Sequence, residues 1–292
     1  MQKYTSHYLD KNNCLGDVCR ISTSSDLKCF KALFDAERPF IIKGLTKNWQ
    51  APKLWNLNYF DQVVGDRLIS CVHLTDSNLT AYEEIKEMLF SEFLIILKNT
   101  LINNSTTELN QKLYLVISRI MSHHNNRRKV QLPELLKDIE IPVFIPFKRL
   151  WQINLWIGAG GNKSNLHFDP EDNLLIPLQG FKKLILIPPN QTKLISRKGP
   201  THQHSAVNVF DIIDKTKYPK IDSIKYYQTV IEPEEALYIP SGWWHAVNSS
   251  DDLNIAVNIW WLAKPHYLLK LYNPVRQRLW KTKGKWLSVL FP

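Results

Sequence analysis

Between Leu150 and Leu262 the chain is written as short apolar runs cut by turn residues: LWQINLWIGAGG, NLLIPLQG, KKLILIPP, ALYIPSG and NIAVNIWWL. Runs of this length, rich in β-branched and aromatic residues and bounded by Gly or Pro, read as strands. Several of them in close succession restrict this half of the chain to an antiparallel sandwich or barrel. Pro177 interrupts NLLIPLQG where a ladder donor belongs, so that strand must be bulged or lie at an edge.

The chain has 292 residues, ample to bury a core. Upstream of the strand-rich region the texture is mixed. SSDLKCFKALFDAE and WNLNYFDQVV carry helical spacing, while RPFIIKGL, RLISCVHL and KLYLVIS read as strands. The apolar spacing from about Leu79 to Asn104 predicts a helix, and MSHHNNRRKV reads as a polar, basic loop. HYLLKLYNPVRQRLW returns to helical spacing, broken at Pro274. The expected organisation is one β-centred domain, with an α/β elaboration over 1–135, the strand-rich core over 136–263 and a basic helical region over 264–292.

The formal net charge is +10, and seven basic residues with no acidic one fall in 264–292: Lys264, Lys270, Arg276, Arg278, Lys281, Lys283 and Lys285. Such an end suits nucleic acid, anionic lipid or an acidic protein face, and equally a solvated surface, the reading preferred here. Cys14, Cys19, Cys29 and Cys71 show no zinc-ribbon spacing and read as free thiols. No apolar leader opens the chain, and FLIIL falls far short of the roughly 20 residues that span a bilayer. The expectation is a protein without membrane contact, cytoplasmic, or nuclear in a eukaryote.

Within NLHFDPEDN, His167 and Asp169 stand two apart, a spacing that puts both on one face of a strand. His-x-Asp alone recurs by chance, and a strand histidine is more often only hydrogen-bonded. A third donor would complete a facial 2-His-1-carboxylate set, which holds Fe(II) on one face and leaves the other open. His245, in ALYIPSGWWHAV near the start of a later strand, is the candidate.

LWIGAGGNKSNLHFDPEDNLLIPLQGFKKLILIPP followed by EEALYIPSGWWHAVNSSDDLNIAVNIWW resembles the JmjC (cupin-like) family of Fe(II)- and 2-oxoglutarate-dependent oxygenases, in its branch of small JmjC-only protein hydroxylases. The likeness is specific from Trp151 to Trp261 and fainter over nearly the whole chain. It implies a mainly β fold, a double-stranded β-helix (jelly-roll) core with flanking α-helices. It implies His167, Asp169 and His245 as catalytic iron ligands, and Lys182 as the cation pairing with the distal carboxylate of 2-oxoglutarate. Ser164 takes a hydroxyl position on that carboxylate, Asn173 and Asn258 are polar neighbours of cosubstrate and metal, and Trp260 is an aromatic wall. The physics agrees: a dianion in an apolar barrel needs a fixed cation and hydroxyl donors, because an unpaired buried charge costs several kcal/mol. Lys182 must then point inward and Lys183 outward. The family also draws an aromatic hydroxyl from upstream of the barrel, which the sequence does not identify.

The implied activity uses Fe(II), 2-oxoglutarate and O2 to hydroxylate a side chain of a protein or peptide, with succinate and CO2 as coproducts. The alternatives are a tRNA-base hydroxylase and a non-catalytic metal-binding cupin; nucleic acid is not the favoured partner, and histone demethylation ranks lower because no reader module accompanies the domain. Trp243, Trp244 and Trp261 are expected to pack, Cys71 and His73 to face structure, and His123, His124, His202 and His204 to be solvated or at the substrate rim. The apolar residues of the C-terminal segment, with the use of such helices for pairing in relatives, imply a homodimer.

Overall fold

The computed structural model describes residues 9–22, 27–74, 78–79, 85–102, 112–124, 126, 129–198 and 203–263. The C-terminal helix expected over 264–292, the homodimer built on it, and His202 lie outside the described residues. In chain order the elements are β1 (Cys19–Ser22), α1 (Leu27–Asp35), β2 (Phe40–Lys43), α2 (Ala51–Leu54), α3 (Leu57–Val64), β3 (Leu68–Leu74), β4 (Asn78–Leu79), β5 (Ile85–Leu89), α4 (Phe90–Ile102) and β6 (Lys112–Ser122). There follow β7 (Leu150–Gly158), β8 (Lys163–His167), β9 (Glu171–Gln179), β10 (Lys182–Ile187), β11 (Arg197–Lys198), β12 (His204–Ser205), β13 (Tyr227–Ile231), β14 (Glu235–Ile239), β15 (Trp244–Ser249) and β16 (Asn254–Leu262).

Two sheets face each other. The larger runs β1-β2-β14-β9-β16-β7-β6-β3-β5, and the smaller runs β11-β12-β8-β15-β10-β13, with β4 pairing β8 from the side. This is a jelly-roll core with flanking helices. The N-terminal elaboration extends the same larger sheet, because β2 pairs with β14 and β6 with β7.

Alternation along the strands divides the interior into layers. On β16, Ile255, Val257, Ile259 and Trp261 turn outward into a core with Phe40, Trp49, Phe60, Phe90 and Phe93, which seats the helices. Ala256 turns inward, where Leu175, Leu237 and Ile239 of the larger sheet meet Leu184, Leu186 and Ile231 of the smaller. Behind the smaller sheet a third cluster gathers Leu166, Ile185, Ile187, Trp244 and Ala246. Asn258 and Trp260 share the inward parity of Ala256.

Pro177 sits beside a register shift: Ile255 pairs with Gln179 and Ala256 with Pro177, so Leu178 is bulged out. The cysteines are free. The expected helix from Leu79 to Asn104 is corrected: residues 85–89 form β5, and α4 begins only at Phe90. The helix formers of IKEML are overridden by five-residue antiparallel pairing with β3. No helix among the described residues is long and apolar enough to cross a membrane.

Candidate active site

His167 ends β8, and His245 is its direct partner on β15. Opposed residues on neighbouring strands share a face, so both rings enter the lumen, with centroids 4.3 Å apart. Asp169 departs from expectation: it lies two residues beyond the end of β8, in the connection to β9, and not on the strand. What holds it is the Pro240-Ser241-Gly242 turn. The Gly242 amide donates to the Asp169 carbonyl (2.9 Å), the Ser241 hydroxyl to the Pro170 carbonyl (2.7 Å), and the Ser241 amide to the Asp172 carboxylate (3.0 Å).

One donor atom from each of His167, Asp169 and His245 lies within 4.8 Å of the others, with His245 Nε2 3.7 Å from an Asp169 oxygen. Each ring is pinned from behind: His167 Nδ1 meets the Asn165 carbonyl at 2.7 Å, and His245 Nδ1 meets the Trp243 carbonyl at 3.0 Å. A carbonyl only accepts, so Nδ1 carries the proton in both rings, and both Nε2 lone pairs are free to bind a metal. Removal from water pushes the His167 and His245 pKa values down to about 4, so both imidazoles are neutral. Burial also raises Asp169, against the pull of His167 and His204. Two neutral imidazoles and a carboxylate fit a divalent iron.

The lumen continues from the triad down β15 and β10. His245 opposes Leu186, Val247 opposes Leu184, and Ser249 opposes Lys182. Lys182 is 3% exposed, whereas Lys183 is exposed, with its ammonium 5.6 Å from the Phe181 ring. Desolvation lowers the Lys182 pKa to about 8, and its ammonium donates to the Ser249 hydroxyl at 3.0 Å. Ser249 was not predicted; its signal is its parity with His245, four residues on along one strand.

Ser164 reaches the same cavity by a different device. It lies three positions before His167, a spacing that regular alternation would place on opposite faces. The register shifts between them, with His245 opposite His167 and Val247 opposite Ser164, so two residues of β8 oppose Ala246 alone. This bulge restores the parity of Ser164 to the lumen.

His167, Asp169, His245, Lys182 and Ser164 line one cavity of about 890 Å³ together with Asn173, Asn258 and Trp260. Asn173 Oδ1 and Trp260 Nε1 are buried without hydrogen-bond partners among the described residues, an acceptor and a donor left for a ligand. Asn258 Oδ1 is already engaged by Asn154 (2.9 Å) and Trp156 (3.0 Å). The structure therefore brings all eight predicted site residues to one cavity. It also supplies Tyr114 on β6, 4% exposed and cavity-lining, whose hydroxyl has no hydrogen-bond partner among the described residues and whose pKa burial pushes up. Trp243 and Trp244 donate their indole protons to Glu37 and Thr192, and Trp261 stacks on Tyr238. His204 pairs with His167 across β12 and lines the cavity wall; His123 lies against Trp151 in the loop after β6.

A model of the cupin-like domain family matches residues 26–267. Among curated proteins, lysine-specific demethylase 8 of Danio rerio is 31% identical over 255 residues, covering 84% of this chain and 58% of that protein. Jumonji C domain-containing protein 5 of Drosophila melanogaster is 26% identical over 265 residues, 86% of this chain and 60% of that one. The human tRNA wybutosine-synthesizing protein 5 is 32% identical over 135 residues, 46% of this chain and 42% of that one. The chain spans about half the length of the curated relatives it matches.

Proposed function

Because this chain belongs to the cupin-like JmjC family, we propose that it is an Fe(II)- and 2-oxoglutarate-dependent oxygenase that hydroxylates a side chain of a protein or peptide. The observation that carries the reading is one lumen face presenting His167 and His245 beside Asp169 at one end and a buried Lys182–Ser249 pair at the other. The metal end and the cation end together match a chelating keto acid with a remote carboxylate.

His167, Asp169 and His245 would hold the iron, and iron with 2-oxoglutarate supplies the oxidation of an unactivated C–H bond by O2, releasing succinate and CO2. The chain's own residues do the rest. Lys182, Ser249 and Ser164 receive the far carboxylate, and the Tyr114 hydroxyl offers a further donor. The Nδ1 hydrogen bonds to Asn165 and Trp243 stop the imidazoles from rotating, and the turn at Ser241 keeps the Asp169 carboxylate aimed inward. Apolar walls from Leu175, Ile239 and Val247 exclude water, while Trp151 and Trp260 frame the region that the target side chain enters.

Two relatives' names bear on the target. Hydroxylation of an N-methyl group, whose product loses formaldehyde, is the same C–H chemistry, so the demethylase name of the zebrafish relative sits within this reaction class. The likeness to the tRNA wybutosine-synthesizing protein gives an RNA base as the second reading. The test is succinate formation from 2-oxoglutarate with iron, in the presence of peptide pools or of tRNA. Turnover stimulated by peptide and lost in His167→Ala supports the proposal; stimulation by tRNA alone transfers it to RNA; no 2-oxoglutarate consumption under any condition leaves a non-catalytic cupin.

A further inference from the structure

Four carboxamides form a line from the cavity mouth inward. Asn126, in the loop after β6, donates from Nδ2 to Gln152 Oε1 at 3.0 Å. Gln152 donates from Nε2 to Asn154 Oδ1 at 3.2 Å, and Asn154 donates from Nδ2 to Asn258 Oδ1 at 2.9 Å. Gln152, Asn154 and Asn258 are 1%, 0% and 2% exposed, so this line runs through the sheet interior across β7 and β16.

The direction of the line is fixed by chemistry. Trp156 Nε1 also points at Asn258 Oδ1, at 3.0 Å, and an indole N–H can only donate. The Asn258 atom facing Trp156 is therefore the oxygen, and the amide ambiguity that besets such chains is removed. An oxygen there requires the Asn154 nitrogen opposite it, which leaves the Asn154 oxygen for Gln152, and the Gln152 oxygen for Asn126. With its oxygen held twice, Asn258 keeps Nδ2 for the cavity that it lines, where the group has no hydrogen-bond partner among the described residues.

We propose that Asn126, Gln152 and Asn154 are positioning residues: a one-way amide relay that fixes Asn258 with its N–H donor toward an oxygen of the ligand bound in the lumen, so that the loop after β6 and the reaction centre are mechanically linked. The inference rests on the oxygenase reading, since 2-oxoglutarate is the oxygen-rich ligand that it brings there. A substitution at the mouth of the cavity then weakens binding deeper in it, at Asn258. Hydrogen bonds in such a chain also polarise one another, so loss of an outer member is felt at the inner end.

The test uses the full chain, with Zn(II) as a redox-silent metal and 2-oxoglutarate as ligand. Calorimetry reads affinity, and spectra of protein carrying 15N-tryptophan read the Trp156 indole proton, assigned with Trp156→Phe. Asn126→Ala and Gln152→Met are expected to weaken 2-oxoglutarate binding about three- to tenfold and to move the Trp156 resonance. Gln152→Glu separates the relay from a loss of packing. A protonated carboxyl accepts from Asn126 and donates to Asn154 as glutamine does, so this variant binds like wild type at low pH and progressively less well as its carboxyl ionises. Wild-type binding shared unchanged by the variants, or an unmoved Trp156 signal, overturns the relay and leaves the proposed function intact. Absence of 2-oxoglutarate binding in the wild type overturns the function and the ligand end of the relay, whatever Trp156 does.

Discussion

At the scale of single residues, burial decides what each group can do. Lys182 and Lys183 are neighbours in sequence, yet only Lys182 is taken out of water, and desolvation brings its pKa down to about 8. A carboxylate in the lumen selects the ammonium form. Above pH 8 binding must therefore take up a proton, and the affinity of the metal-loaded protein for 2-oxoglutarate should fall by about tenfold per pH unit, with little change between pH 6 and 7. Calorimetry in two buffers of different ionisation heat will count the proton. Lys182→Arg, permanently charged, should bind more weakly but without this slope.

At the scale of elements, the site depends on how short segments are clamped. Asp169 is carried by a connection rather than a strand, and the Ser241 hydroxyl is one of its fastenings, through the Pro170 carbonyl. Ser241→Ala should retain the fold by circular dichroism yet weaken Mn(II) binding by roughly tenfold, the usual cost of removing support behind a ligand; unchanged affinity would show that the Gly242 amide suffices. The clustering of His167, Asp169 and His245 was legible from the His-x-Asp spacing and a later strand histidine, and the inward Lys182 from the family resemblance. Ser164 was legible only by resemblance, since its three-residue distance from His167 contradicts strand alternation until the bulge opposite Ala246 is seen. Ser249 and Tyr114 were not legible: a serine and a tyrosine on strands carry no local mark, and only register against Lys182 sets Ser249 beside its ammonium, as register against β7 brings Tyr114 to the cavity. β5 was misread because Lys, Glu, Leu and Met favour helix locally, whereas its state is set by pairing with a strand already in the sheet.

For the whole molecule, the site is a stability switch. The folded protein keeps His167 and His245 neutral, with pKa values of about 4 against 6.5 for the free side chain. A depressed histidine means that the unfolded chain binds more protons between those values, so this contribution is complete above pH 6.5 and is lost as pH falls toward 4. The melting temperature of the metal-free protein should drop over that window. At pH 7, Mn(II) at a hundred times its dissociation constant should add about 2.7 kcal/mol, or roughly 5–10 °C. His245→Ala should abolish the metal-dependent rise in scanning calorimetry.

The pairing of β2 with β14 has a bearing on biogenesis. Phe40 to Lys43 leave the ribosome before Glu235 to Tyr238, their partners in the ladder, and wait for them, while Trp243 must reach back to the Glu37 carbonyl. The larger sheet cannot acquire its β14–β2 edge until the whole stretch between Lys43 and Glu235 has been translated, so the nascent chain carries an unmatched strand over that interval.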